Sequence, residues 1–271
     1  MNFTIIGASG FIGSALTAKL TADGNHVFAP QRGEEGVFTT ELGHVIYAAG
    51  ITADFRSQPF NTLRANTNFL AELLERANFE SLLYLSSARI YRHAEHSGEE
   101  AAIFLKSRDP EDLYDLTKLT AEAMCHARGK PSVRVVRLTN VVGSDFRSQN
   151  FLFDIIRSAC NTGSIELRST LDSGKDYVLI SDVLDLLPKI AIKGLHSCYN
   201  LGSGYNLTHK LLLDQIIACT GATVSISTEA RQTLIPSINI DRILKEFNFQ
   251  PSSVLSYIPE LIHEYRKSTS P

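Results

Sequence analysis

The stretch Phe3-Thr-Ile-Ile-Gly7-Ala-Ser-Gly10-Phe-Ile-Gly13 decides the fold of this 271-residue chain. Phe3 to Ile6 reads as a short buried strand, ended by the first glycine. From Phe11 to Ala22 the apolar residues Ile12, Ala15, Leu16 and Leu20 fall on one helical face. Strand, glycine turn and helix in that order open a βαβ unit. Glycine permits the tight turn and lets backbone approach a pyrophosphate, while the helix N-terminus offers unpaired N–H groups and a positive dipole end. The GxxGxxG spacing therefore predicts a dinucleotide site, weighed against the plainer reading of a tight turn alone.

Outward from that turn, Gly24-Asn25 stops the helix and His26 to Ala29 reads as a second strand. The strand end should report on the adenosine ribose, where an acid holds a 2′-hydroxyl and an arginine suits a 2′-phosphate. Pro30-Gln31-Arg32 offers a cation and no acid. NADP is the expected cofactor, with NAD as the alternative. Val45 to Ala48 is a third apolar run, closed by Gly50. Asn61 to Ala77 has helical spacing, Leu82 to Leu85 is a strand, Glu111 to Arg128 a helix, and Val133 to Leu138 a strand again. This alternation implies a Rossmann-type, doubly wound parallel α/β sheet.

After Gly143 the rhythm changes. Phe151 to Cys160 reads as a helix, and Tyr177 to Ile180 as an apolar run. Further helical patterns cover Ser181 to Ile192, Lys210 to Thr220 and Ser256 to Lys267. The expected organisation is a dinucleotide-binding domain over 1–143 and a smaller mixed α/β substrate lobe over 144–271. Residues 177–201 are expected to return to the first domain, and Ser268 to Pro271 to form a loose tail.

Composition narrows the class. With 44% apolar and 20% charged residues and a formal net charge of −3, the chain has ample core and no general attraction to nucleic acid or anionic lipid. No window approaches the apolar length of a membrane span, and no basic, apolar leader opens the chain. A cytoplasmic protein is expected. Cys125, Cys160, Cys198 and Cys219 form no CxxC pair and read as reduced core residues.

Tyr114-Asp-Leu-Thr-Lys118 lies in the helix between two strands of the sheet, and residues four apart share a helix face. Tyrosine titrates near 10, too high for a neutral-pH base. A nearby ammonium and an oxidised nicotinamide would both favour the phenolate, making the pair a reversible proton relay for alcohol and ketone chemistry. Leu85-Ser86-Ser87-Ala88-Arg89 sits at the C-terminal end of a strand, where open α/β sheets bind ligands. A serine hydroxyl there can orient the reacting oxygen toward the tyrosine. The plainer readings are a packed tyrosine and a serine-containing loop.

Glycine loop, strand-end serine and YxxxK, in this order, resemble the extended short-chain dehydrogenase/reductase family, and within it the NAD-dependent epimerase/dehydratase branch. Tyr47-Ala-Ala-Gly50, Arg137-Leu-Thr-Asn140, Lys175-Asp-Tyr177, Asp182-Val183 and Tyr199-Asn-Leu-Gly202 also match that branch. The resemblance implies Ser87 as catalytic serine, Tyr114 as acid/base, and Lys118 as the residue that holds the nicotinamide ribose and lowers the tyrosine pKa. It implies cofactor contacts from Gly7, Ser9, Gly10, Phe11, Ile12 and Gly13. Gln31, Arg32, Ala48, Ala49, Gly50, Asn66 and Leu138 complete them. Asn140 matches a substrate contact, and Lys175 stands where many relatives carry an arginine beside the nucleotide diphosphate. The implied substrate is a nucleotide-activated sugar, and the implied assembly a homodimer through the helices Asn61–Ala77 and Glu111–Arg128.

The chain departs from the branch in two further respects. Ala88-Arg89 replaces the Asp-Glu pair of sugar-nucleotide dehydratases, which argues against dehydration. Arg32 to Val45 is too short for the usual third strand and its helix, so that sheet edge should be trimmed. Arg89 reads equally as a substrate contact and as a solvated loop residue. His93-Ala-Glu-His96 reads as a solvated loop with no third ligand near, so no metal is expected. Cys198 and Cys219 lack an activating partner. The leading expectation is a 4-ketoreductase or 4-epimerase of a nucleotide sugar. The alternatives are a reductase of a small ketone or aldehyde, and a non-catalytic NADP sensor.

Overall fold

The structure, a computed structural model, describes residues 1–52, 54–146, 150–233 and 235–269. Strand β1 (Asn2–Ile6) turns through the glycine loop into helix α1 (Phe11–Ala22), followed by β2 (His26–Phe28). Between β2 and β3 (His44–Tyr47) stands only a 3₁₀ turn, Glu35–Phe38. Helix α2 (Pro59–Leu63), a π-helical turn (Arg64–Asn68) and α3 (Phe69–Arg76) run on from one another to β4 (Ser81–Ser87). The helix expected over Asn61–Ala77 is thus interrupted by one wide turn. A 3₁₀ turn (Ala88–His93), α4 (Asp112–Ala127) and β5 (Val133–Leu138) complete this half.

Three short pairs follow in the second half. Strand β6 (Asn140–Val142) leads to α5 (Phe151–Asn161), whose first turn is capped by the Asn150 side chain accepting from Phe153 N–H at 3.0 Å. Then come β7 (Ser164–Ser169), β8 (Gly174–Lys175), β9 (Tyr177–Leu179), α6 (Ile180–Lys193) and β10 (Cys198–Leu201). Strand β11 (Leu207–Thr208), α7 (His209–Thr220), β12 (Thr223–Arg231), α8 (Asp241–Phe247) and α9 (Val254–Thr269) close the chain. The small pairs are β6 with β9, β7 with β12, and β8 with β11.

Six strands form the central sheet in the order β10-β5-β4-β3-β1-β2, every pair parallel. Strand β2 is the outer strand, so the edge is trimmed as the short Arg32–Val45 spacing predicts. Alternate residues serve opposite faces: Ile46, Leu83 and Val136 pack with α1 and α6, while Val45, Leu82 and Val135 pack with α3 and α4. Helices on both faces bury the middle of the sheet, which is why β4 and β5 read as near-continuous apolar runs. The two arginines of β5 are buried and satisfied. Arg134 donates to the Gly194 and Ala191 carbonyls at 2.7 and 3.0 Å, and Arg137 to Glu122 at 2.7 Å.

A second core joins α5, α7 and α9 to β7 and β9. Residues 177–201 divide between the two: Tyr177 and Leu179 lie in the second core, whereas α6, Tyr199 and Leu201 lie in the first. Ile238, Ile240 and Ile243 also join the first core from far along the chain.

Several elements differ from expectation. Strands β7 and β12 pair in parallel, though neither was legible; β12 is polar and largely exposed, so no apolar run marked it. Helix α8 is too short to announce itself by periodicity. The expected tail is helical through Thr269, and residues 270–271 lie outside the described residues. All four cysteines are free, but only Cys125 and Cys198 are buried; Cys160 and Cys219 sit half-buried at the rim of the second core. No helix among the described residues is long and apolar enough to cross a membrane.

Candidate active site

The β1–α1 loop is closed by backbone meeting backbone. Gly7 has a φ of 88°, and a Cβ there would lie 2.6 Å from Ala49 N. A Cβ on Gly13 would lie 2.1 Å from Gly7 O. Neither position tolerates a side chain. Gly10 N–H donates to Gly7 O at 3.0 Å, and no side chain caps α1. Its first N–H groups are therefore free of side-chain acceptors beside the exposed Ser9 and Gly10, the donor set a pyrophosphate needs. Phe11 and Ile12 are half-buried, with the Phe11 ring close against Gly143. Ala48 and Ala49 form the opposing wall against Gly7.

The residues after β3, β4 and within α4 converge on one spot. A Cβ on Gly50 would lie 2.6 Å from Asn66 Oδ1 and 3.4 Å from Lys118 Nζ, so the bare backbone lets all three meet. Asn66, buried in the π-helical turn, accepts from Ile51 N–H at 3.3 Å and donates to Thr117 Oγ1 at 2.8 Å. Thr117 donates in turn to the Tyr114 carbonyl at 2.8 Å. The wide turn thus ties the cofactor-side loop to the middle of α4.

Tyr114 and Lys118 stand one turn apart on α4, both buried. The Tyr114 phenol lies near Ser87, which favours its phenolate, and the Ser87 Oγ accepts from Arg89 N–H at 3.2 Å. Lys118 Nζ donates to the Leu85 carbonyl at 3.0 Å and lies 5.8 Å from the Tyr114 ring centroid. Leu138 pairs with Ser87 across the sheet and stays buried. Burial pushes the phenol up to about 12, opposed by Ser87 and the Arg89 charge. Burial also pulls Lys118 down to about 8, opposed by Glu122. At neutral pH the ligand-free site therefore holds a protonated phenol and a largely charged lysine.

Arg89 is not the solvated loop residue of the plainer reading. Its Nη1 donates to the Glu111 carbonyl and to Asp115 Oδ2, each at 2.9 Å, and its guanidinium carbon lies 5.7 Å from the Tyr114 ring centroid. Lys175, on β8, has no acidic partner among the described residues; its ammonium sits 5.3 Å over the Phe151 ring. Burial lowers its pKa, and the charge of Arg89 adds to that. Asn140 is exposed and donates to the Asp176 carbonyl at 2.8 Å, which engages one of its amide hydrogens in holding β9.

At the end of β2, Gln31 and Arg32 are exposed. Gln31 N–H donates to Glu34 Oε2 at 2.8 Å, so the strand end carries a carboxylate that reading Gln31-Arg32 alone had left out. His93 also differs from the solvated loop expected. Its Nε2 lies 3.2 Å from Asp112 Oδ1, and Asp109 brings a third donor atom near. Arg92 already bridges this acidic pair, contacting Asp112 and lying 3.7 Å from Asp109.

Sequence reasoning missed Phe55, Asp115 and the Glu122–Arg137 pair. Phe55 packs 5.6 Å from the Tyr114 ring. Glu122 receives Arg137 and also Ser86, the residue before Ser87. Glu122 had a signal, since it follows Lys118 by four and extends the same helical stripe.

A sequence profile of the NAD dependent epimerase/dehydratase family matches residues 3–202. The UDP-glucuronic acid decarboxylase 1 of Xenopus tropicalis is 24% identical, with 97% of this chain and 72% of that protein aligned. Among solved structures, MoeE5 in complex with UDP-glucose and NAD superposes with a TM-score of 0.83 at 20% identity, covering 100% of both chains. RMD from Pseudomonas aeruginosa complexed with NADPH gives 0.80 at 20% identity, covering 98% of this chain and 99% of that one.

Proposed function

The chain belongs to the NAD-dependent epimerase/dehydratase family, and from that premise we propose an NAD(P)-dependent oxidoreductase acting on a nucleotide-activated sugar, as 4-ketoreductase or 4-epimerase. The observation that carries this reading is the Tyr114 phenol beside Ser87 with Lys118 buried one turn on, 5.8 Å from the Tyr114 ring centroid, at the end of the sheet where the glycine loop opens. A non-catalytic sensor would need the loop alone. The cradle left by Gly7, Gly13 and Gly50 fits a dinucleotide, because a Cβ at any of the three would collide with its neighbours. When bound, the nicotinamide supplies or takes up the hydride. The chain's own residues handle the proton: Ser87 orients the substrate oxygen, Tyr114 gives or takes its proton, and Lys118 favours the phenolate when the proton has left.

The relatives support a nucleotide sugar. One is named for UDP-glucuronic acid and another is complexed with UDP-glucose. Lys175, with no acidic partner among the described residues, fits the diphosphate. Ala88-Arg89 offers no acid and base for elimination of water, so dehydration is set aside. Arg32 favours NADP, in line with the relative that holds NADPH, whereas Glu34 at Gln31 N–H is the feature that would favour the ribose diol of NAD. We place a homodimer contact on α2, α3 and α4, where Phe60 and Leu63 are 74% and 44% exposed.

One assay tests the reading. Purified protein is given UDP- or dTDP-hexoses and their 4-keto forms with each nicotinamide cofactor, following reduced-nicotinamide absorbance. A reductase consumes cofactor stoichiometrically, and an epimerase interconverts C4 epimers with no net consumption. Formation of a 4-keto-6-deoxy sugar, or no turnover with any nucleotide sugar, overturns it.

A further inference from the structure

We infer that the sugar accepted by this site carries a carboxylate on its ring, and that Arg89 is the residue that recognises it. The inference rests on the nucleotide-sugar reading above and adds the sugar's chemical class.

Position comes first. The Arg89 guanidinium lies 5.7 Å from the Tyr114 ring centroid and 5.1 Å from that of Phe55. A substrate oxygen bonded to the Tyr114 hydroxyl therefore brings the neighbouring ring substituents within reach of a fixed cation. Availability comes second. Nη1 donates to the Glu111 carbonyl and Asp115, and Nη2 to Glu111 Oε2 at 3.1 Å, but Nε has no partner among the described residues. The side chain keeps 26% of its surface exposed, so that donor edge remains open.

The anchoring is what makes the group a good receptor. A guanidinium held by a buried carboxylate is already ordered, so little conformational entropy is lost when it grips an anion. Its charge is only partly neutralised. Glu111 is shared with Arg56, and Asp115 is shared with Arg92 at 4.0 Å. The charge of Arg89 also reaches Lys175, a second cation whose charged form it disfavours. If Lys175 takes the diphosphate, Arg89 is left facing the sugar. A neutral sugar closing over it would desolvate a cation and return only hydroxyl hydrogen bonds. A ring carboxylate returns charge-assisted hydrogen bonds instead.

The test is calorimetry in the presence of the cofactor, using UDP-glucuronic acid, UDP-glucose and UDP, with the dTDP-linked set in parallel. Each uronate–hexose pair differs only at C6. The uronate should bind at least tenfold more tightly than the hexose. In a double variant, Arg89→Gln with Asp115→Asn, no buried aspartate is left unpaired, and the preference should fall to about one while free UDP binds as before. Arg89→Lys should keep part of it. Equal binding of uronate and hexose by the wild type overturns the inference and leaves the nucleotide-sugar reading standing. So does a double variant that weakens both sugars equally, which would make Arg89 only a clamp on α4. If no nucleotide sugar binds, both fall together.

Discussion

In the proposed reaction, burial sets the direction in which Tyr114 would act. With its pKa held near 12 in the ligand-free protein, the phenol starts as an acid, suited to protonating a carbonyl oxygen as that carbon is reduced. Tyr114→Phe should lower kcat by about 10²–10⁴ while the cofactor dissociation constant stays nearly unchanged, read by steady-state kinetics and calorimetry. Retention of most of kcat would move the proton to Ser87. On the proposed reading, Lys175 would act on binding rather than on the bond change. Lys175→Ala should raise KM for a nucleotide sugar roughly ten- to a hundredfold, the worth of a charge-assisted hydrogen bond, with less change in kcat. Unchanged kinetics would remove the diphosphate contact and reopen the small-ketone reading. Ser87, Tyr114 and Lys118 were legible because order and helical spacing place them. Phe55 and Asp115 were not, because the loop that carries Phe55 has no period, and Asp115 gains meaning only from Arg89 on another element.

At the scale of elements, the β1–α1 turn is the least forgiving join. A Cβ on Gly13 would enter the space of the Gly7 carbonyl, which is backbone and cannot swing away. Gly13→Ala should therefore lower stability by about 1–3 kcal/mol and abolish dinucleotide binding, seen as a reduced Tm that added cofactor no longer raises. A variant that still gained stability from cofactor would show that the turn can relax. The strands flanking this turn were readable from apolar runs, since a sheet covered on both faces leaves little room for polar residues. The π-helical turn was not: its residues keep helical spacing to either side, and only the pairing of Asn66 with Thr117 reveals why the helix widens there. Strands β7 and β12 escaped for the opposite reason: β7 buries only Ile165 and Leu167 and β12 is largely exposed, so neither makes an apolar run.

For the whole molecule, acid stability turns on buried titratable groups. His209 stacks on Phe151 at 4.1 Å, hydrogen-bonds Ser169 through Nδ1, and buries Nε2 without a partner among the described residues. Burial, with Lys175 nearby, pulls its pKa down to about 4. Between pH 6.5 and 4 the unfolded chain binds a proton that the native one refuses, so stability falls with pH across that window. The loss is on the order of 3 kcal/mol. Asp115, pushed up to about 6 by burial, works the other way between pH 6 and 4, because there the native state holds the extra proton. Tm measured against pH should therefore decline more gently in His209→Asn than in the wild type. Equal slopes would assign the acid limb to carboxylates elsewhere.

The trimmed edge beyond β2 has a consequence for residence time. Only the 3₁₀ turn Glu35–Phe38 stands where another strand and helix would wall in the far end of a bound dinucleotide. Affinity among related complexes is tuned mostly through the rate of leaving, so a ligand enclosed on fewer sides departs sooner. A dinucleotide that departs between turnovers makes the protein answer to the ratio of oxidised to reduced cofactor around it. Such an exchange suits net reduction of a substrate better than a reaction that returns its electrons to the same sugar. Stopped-flow displacement should accordingly find cofactor dissociation no slower than kcat.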